Sequence, residues 1–240
     1  MCVAVVILTG IAFISTVLSQ NCPTTGLNPA TRKAIVDRHN QLRSSNALGK
    51  EIDGSTGGFA PKAKNMYKMS YDCQLEKIAQ SWADRCEFKH SPSSLRNAGE
   101  NLYMSWPTVQ NDANTSQIFH HNRVILGPAL AASDSWWSEL KEIGVEQFSP
   151  QFNFTEFLFS KGVGHYTQMA WAKTTKIGCG HAKCPNMNLV VCNYRQTGNY
   201  LNWNIYEIGE PCKKDSDCTT FQNSRCSVSE GLCYQGSTSC

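Results

Sequence analysis

Gly164-His165-Tyr166-Thr167-Gln168-Met169-Ala170-Trp171-Ala172-Lys173-Thr174 is the most informative run in this 240-residue chain. Read locally, Gly164 to Ala172 has the length of a short helix, and it leads into Lys176–His181, whose composition reads as a strand. Asn188–Tyr194 reads as a second strand, able to close a hairpin with the first, and Trp203–Ile208 as a third. Upstream, Asn28 and Pro29 supply an N-cap and a first-turn proline for a helix running through Ser44, with Ala30, Ala34, Ile35 and Leu42 at helical spacing. Gly49 to Pro61 reads as a loop. Behind the cap Asp72, the residues Leu75, Ile78, Ala79, Trp82 and Cys86 fall on one face of a second helix. Ser133 or Asp134 caps a third, Ser135–Ile143, which Gly144 ends. Helices flanking a small antiparallel sheet give an α+β fold, arranged as a three-layer α-β-α sandwich.

The composition places this fold outside a reducing compartment. With 22 Lys and Arg against 19 Asp and Glu, the net charge of +3 lacks the concentrated basic stripe that a nucleic-acid partner requires. No charged side chain precedes Arg32, and Cys2 to Leu18 is one apolar run. Residues 1–19 therefore read as a secretory signal peptide cut before Gln20. The run is short for a bilayer and has no basic flank, so no stable membrane insertion is expected. The chain holds 12 cysteines, and cleavage would remove Cys2 and leave 12 − 1 = 11. Six lie in the body and five crowd into Cys212–Cys240. A tail that dense in cysteine is stapled rather than built on an apolar core, which puts a boundary near Gly209-Glu210-Pro211 and divides the chain into 1–19, 20–208 and 209–240. Asn114-Thr115-Ser116 and Asn153-Phe154-Thr155 are N-glycan acceptor sequons.

The usual catalytic signatures are missing: no His-Glu-x-x-His, no Gly-x-Ser-x-Gly, and no phosphate-cradling loop. Two histidines, His90 and His165, and two glutamates, Glu100 and Glu139, lie among aromatic or small residues instead. On spacing alone, nothing brings the four together, and each reads as a hydrogen-bonded core group. Trp136-Trp137 beside Glu139 could wall a ligand site. The aromatic stretch Phe148, Phe152, Phe154, Phe157 and Phe159 is either buried beneath its loop or a lipid-contacting surface.

The run quoted first resembles the main signature of the CAP superfamily, which includes cysteine-rich secretory proteins, insect venom antigens and plant pathogenesis-related proteins. Val190-Val191-Cys192-Asn193-Tyr194-Arg195-Gln196-Thr197-Gly198-Asn199-Tyr200 resembles its second signature, with Gln196 where the family commonly has proline. His39-Asn40-Gln41-Leu42-Arg43 and Gly99-Glu100-Asn101-Leu102 resemble two shorter motifs, and the likeness runs from about Thr31 to Ile208. The Gly209-Glu210-Pro211-Cys212 tail resembles the hinge of the nematode branch, the activation-associated secreted proteins.

The resemblance implies that His90, Glu100, Glu139 and His165 line a central cleft, with His39 outside that tetrad. Three roles are open: His90 and His165 weakly holding Zn²⁺ or another divalent cation, a Glu/His acid–base pair for hydrolysis, or a buried hydrogen-bond network. The implied function is a non-enzymatic extracellular effector in host–parasite interaction, with a host or extracellular protein as partner. Alternatives are a sterol or fatty-acid carrier and a metal-assisted or Glu/His hydrolase. The resemblance also implies disulfides Cys86–Cys184 and Cys179–Cys192. In the tail, Cys212–Cys226 and Cys218–Cys233 form a natural interleaved pair. Cys22 and Cys240 remain as a possible end-to-end bond, which leaves Cys73 to link two copies into a disulfide-bonded homodimer.

Overall fold

The computed structural model of the protein describes residue 22 and residues 26–106, 117–120 and 123–235. The proposed leader 1–19, the sequon at Asn114, and Cys240 lie outside the described residues. Helix α1 (Pro29–Ala47) opens as its sequence predicts: the Asn28 side chain accepts from Thr31 N, and Pro29 holds the first turn. Short strands β1 (Ala63–Lys64) and β2 (Ser70–Tyr71) follow, then α2 (Cys73–Ala83), capped by Asp72 through the amides of Gln74 and Leu75. The turn α3 (Ser93–Arg96) leads to β3 (Gly99–Ser105), and then come β4 (Gln117–His120) and β5 (Arg123–Leu126). Helix α4 (Pro128–Glu142) starts seven residues before the expected Ser135. The signal is Pro128 in its first turn after Gly127, not the later Ser133 or Asp134. The last elements of the body are α5 (Glu156–Ser160), α6 (Gly164–Ala170), β6 (Lys176–Lys183), β7 (Asn188–Arg195) and β8 (Glu207–Ile208). Trp203–Ile208 is thus a strand only at its end, where it pairs with β1 rather than with the main sheet. Among the described residues, no helix is long and apolar enough to cross a membrane.

The main sheet has the order β2-β6-β7-β3, with β2 parallel to β6 and the other pairs antiparallel. Period-two alternation sorts the sheet's side chains into two cores. Ile177, Cys179, Val190, Cys192 and Tyr194 join α1, α4 and α6 on one side. Leu189, Val191 and Leu102 meet Ala79, Trp82 and Ala83 of α2 on the other. Three layers result. Helix α2 lies unusually close to β6: a Cβ at Gly178 would stand 2.2 Å from Glu76 N, and one at Gly180 would stand 2.4 Å from Gln80 Cα. A methyl group at either position would force the helix off the sheet.

Two buried cations join the layers. Arg32 on α1 forms a two-point pair with Glu76 on α2, at 2.7 and 2.8 Å. Arg43, also on α1, meets carbonyl oxygens rather than a carboxylate: Tyr67 and Met169 at 2.6 Å, Trp171 at 2.9 Å and Ala172 at 3.0 Å. Burial pulls its guanidinium down to about 9, where it still carries a proton at neutral pH.

His39 is a buried core group, not a ligand. Its Nδ1–H donates to Ile35 O at 2.9 Å, and Nε2 accepts from the Tyr194 hydroxyl at 3.1 Å. Desolvation depresses its pKa to about 4, with Arg43 and Arg38 adding to the effect. The unfolded chain therefore takes up this proton near pH 6.5, whereas the folded chain takes it up near 4. Stability is expected to fall by about 3 kcal/mol as pH drops from 6.5 to 4, and to be flat in this group below that. Urea titrations across this window should show the slope in the parent protein and its loss in His39→Gln; an equal slope in both would remove His39 as its source.

Five disulfides are formed among the described residues. Cys86–Cys184 and Cys179–Cys192 hold the body, and Cys212–Cys226 and Cys218–Cys233 interleave in the tail. The fifth corrects an expectation: Cys22 is bonded to Cys73, their Cα atoms 5.2 Å apart. Cys73 opens α2 directly beside the entering N-terminal segment, so it carries no free thiol to link two chains, and Cys22 is not paired with Cys240. The tail forms a hairpin of β9 (Ser224–Ser227) and β10 (Leu232–Gln235). It is tied to the body by Cys233 N to Met66 O at 2.8 Å, Lys68 N to Cys233 O at 2.7 Å, and a Lys68–Glu230 ion pair at 2.6 Å.

Candidate functional site

The four tetrad residues arrive on four different segments and form two histidine–carboxylate pairs. Glu100 sits on β3, its side chain fully buried, and accepts Nδ1–H of His90 at 2.9 Å. The same carboxylate accepts Ser91 N at 2.8 Å, Ser91 Oγ at 2.6 Å and Asn193 Nδ2 at 3.2 Å. Burial works to raise its pKa, but the bonds from His90 and Ser91 and the nearby Arg96 outweigh it and hold the carboxyl below its usual value. Glu139 on α4 accepts Nδ1–H of His165 at 2.6 Å. Its other oxygen accepts the amides of His165 and Tyr166, at 3.0 and 2.9 Å. These are orphan donors of the first turn of α6, whose N-cap Val163 offers no side-chain acceptor. Glu139 therefore caps the helix and orients the imidazole together.

The two pairs meet around the start of β3. A Cβ at Gly99 would stand 1.9 Å from Gln168 Oε1 of α6, and Asn101 Nδ2 donates to His165 O at 3.1 Å. The neighbours of Glu100 on both sides thus touch the helix that carries His165. Trp136 stacks on the His165 ring with 6.1 Å between centroids and 14° between planes, and its Nε1 donates to Leu102 O at 2.9 Å. Trp136 and Trp137 are both buried; Trp136 is the one that walls the site.

The order of exposure defines the chemistry available. His90 and His165 side chains are 59% and 37% exposed, while Glu100 and Glu139 are 0% and 14% exposed behind them. A carboxylate can only accept, so each Nδ1 carries the proton, and each neutral ring keeps its Nε2 lone pair free for a cation. Carboxylate-backed imidazoles of this kind are a usual support for a bound divalent metal, and imidazole nitrogen is a donor that zinc accepts. Ser91 Oγ donates to Glu100 at 2.6 Å rather than to an imidazole, so Ser91 does not form the Ser–His pair of a catalytic triad. The Sγ atoms of Cys212, Cys218 and Cys226 also cluster within 4.8 Å. All three are in disulfides and are not thiolate ligands.

The aromatic stretch divides. Phe152 and Phe154 are core, whereas Phe157 and Phe159 on α5 are exposed. Asn153 is half-buried in the turn before α5, and its sequon threonine, Thr155, caps that helix through Leu158 N at 3.1 Å. What spacing could not show is that each histidine pairs with a carboxylate, His90 with Glu100 ten residues on and His165 with Glu139 on a separate helix. A local signal did exist for Glu139: α6 begins with a glycine and has no capping side chain of its own, so some acceptor had to come from elsewhere.

The family model described as the cysteine-rich secretory protein family, CAP, matches residues 36–194. An Ancylostoma secreted protein from Ancylostoma caninum is 39% identical over 90% of this chain, which spans 47% of that relative's length. Venom allergen 3 from Solenopsis invicta is 36% identical, covering 76% of this chain and 74% of its own length. Among solved structures, NaASP2 with Zn²⁺ is 42% identical with a TM-score of 0.74, covering 88% of this chain and 99% of that one. BmVAL-1 is 40% identical with a TM-score of 0.78, covering 90% and 98%.

Proposed function

The chain belongs to the cysteine-rich secretory protein (CAP) family, and from that premise we propose that it is a secreted, non-enzymatic effector whose tetrad binds a divalent cation, zinc first. Secretion is supported by the leader-like run 1–19, by ten cysteines in five disulfides, and by relatives named as secreted and venom proteins. The proposed partner is a host or other extracellular protein. The metal reading rests on one observation: a buried carboxylate, Glu100, and a largely covered one, Glu139, hold Nδ1 of two solvent-facing imidazoles. His90 and His165 would supply the ligands, while Glu100 and Glu139 fix the tautomer and raise ring basicity. When bound, zinc would bring a localised positive charge to this surface, a contact point for acidic or histidine-bearing groups on a partner. The exposed Phe157 and Phe159 on α5 favour a second reading, a sterol or fatty-acid carrier.

Two protein ligands should give modest affinity, roughly micromolar or weaker, since closed structural sites gain about 10–16 kcal/mol from four. Isothermal titration of the purified protein with ZnCl₂ should show one site. His90→Ala with His165→Ala should remove it, and Glu139→Gln should weaken it by about 10- to 100-fold. Unchanged zinc uptake in the double histidine variant would sink this reading.

A further inference from the structure

At the other end of α6 from His165 lies a groove of about 400 Å³, floored by Trp171 and Tyr206 and edged by Trp203, Asn202, Asn204 and Glu207. Its volume is that of a small-ligand site. Two aromatic rings stand out of the surface here: Trp203 is 57% exposed and Tyr200 51% exposed. They are 5.7 Å apart at 44° to one another, and Trp171 lies 6.3 Å behind Tyr200. Leaving an indole and a phenol in water is costly unless something covers them.

The backbone under these rings is rigid. Asn199 and Asn202, which bracket Tyr200-Leu201, both have positive φ, at 56° and 64°. These sparsely populated conformations persist only when the surroundings hold them. The surroundings do: Phe154 N donates to Trp203 O at 2.8 Å, Asn202 N donates to Phe154 O at 2.7 Å, and Ala172 N donates to Ile205 O at 2.8 Å. Asn199 Nδ2 also donates to Gly164 O at 2.9 Å, and Gly198 N to Gln168 Oε1 at 3.1 Å, bolting the loop to α6. The Lys173 ammonium braces the Trp203 ring, 5.5 Å from its centroid. The rings are therefore presented on a fixed platform rather than on a mobile tip.

We propose that this groove is a saccharide-binding site, taking a pyranose of a glycan with its C–H face on Trp203. A pyranose offers an apolar face bounded by a rim of hydroxyls. Asn202 and Asn204 are exposed, and their side-chain amides make no hydrogen bond to the protein among the described residues. Each amide presents a donor and an acceptor side by side, which matches a pair of adjacent hydroxyls, and the Glu207 carboxylate adds acceptors. Glu207 is already balanced by Lys64 at 3.3 Å, and Lys173, which also lines the groove, lies over the Trp203 ring. No unpaired carboxylate is left to demand a cationic ligand, and an uncharged sugar is suited. A lipid chain is disfavoured because it would desolvate these amides without replacing their hydrogen bonds. The site is separate from the histidine–carboxylate pairs and needs no metal.

The test is an NMR chemical-shift titration of the disulfide-bonded protein with two uncharged probes, chitotriose and maltotriose, in the absence of zinc. Saturable shifts at the Trp203 indole N–H are expected with at least one of them, with a Kd on the order of 1 mM or tighter. Trp203→Ala should weaken binding at least about tenfold, with far-UV circular dichroism unchanged. Asn204→Ala, at an exposed side chain with no hydrogen bond to the protein among the described residues, should weaken it several-fold and serves as the second variant if Trp203→Ala disturbs folding. No saturable shift with either sugar overturns the proposal, and so does equal saturation in both folded variants. Because His90→Ala with His165→Ala leaves this groove intact, failure of the zinc reading and failure of this one are distinguishable.

Discussion

Replacing Arg43 with methionine is expected to cost about 4 kcal/mol of stability, seen as a fall in melting temperature of about 10 °C or more. The carbonyl oxygens of Trp171 and Ala172 keep backbone donors, Thr174 N at 3.0 Å and Tyr67 N at 3.1 Å. Those of Tyr67 and Met169 take theirs from the guanidinium at 2.6 Å, in a core where water has no access to Arg43. Each orphaned buried acceptor costs about 1–3 kcal/mol. Losing the buried cation gives back some desolvation energy, but methionine cannot donate at all. Arg43→Lys should fall between the two, since an ammonium has three donors and lacks the planar fork that spans carbonyls on several segments. Calorimetry on the three proteins decides this; a loss under about 1 kcal/mol for methionine would mean that other donors take over.

The second large effect concerns Cys86–Cys184. Serine at both positions removes a crosslink with a sequence separation of 98 residues, which chain entropy values at about 4 kcal/mol. This bridge does more than stabilise. Cys86 follows α2 with φ of 56° and starts the segment that carries His90, which is also held by Trp82 Nε1 donating to Lys89 O at 2.7 Å. Freed from Cys184, the segment should wander, and zinc affinity should drop about tenfold or more through His90 alone, as for loss of an orienting partner. Urea midpoints measure the first effect and zinc titration of the folded double variant the second. Lower stability with unchanged zinc affinity would assign the positioning of His90 to Glu100 and Trp82 without the disulfide.

What was legible in the sequence was what short-range rules govern. Asn28-Pro29 and Asp72 cap helices where expected, and Lys176 onward and Asn188 onward pair as a hairpin. The misplaced start of α4 shows the limit of such rules: a capping serine and aspartate at 133 and 134 outweighed a proline at 128 that was the true first turn. Strand β3 was not expected as an element, although Glu100 and Asn101 were singled out within it, because its partner β7 is some 90 residues away and contributes the neighbours that bury it.

The cysteines mark the division most clearly. Their number and crowding, read with the apolar leader, point to an oxidising compartment and a stapled tail, because those are statements about composition. Which sulfurs meet is a statement about space: Cys73 sits where the chain enters beside α2, so it closes on Cys22 rather than on a second chain. The tetrad divides in the same way. His90, Glu100, Glu139 and His165 are named through the resemblance to the family. That each imidazole is turned outward by a less exposed carboxylate, Glu100 ten residues along the chain and Glu139 on another helix, was decided by the packing of α4, α6 and β3. No local spacing encodes those contacts; they exist only once the apolar faces of all three elements have been buried together.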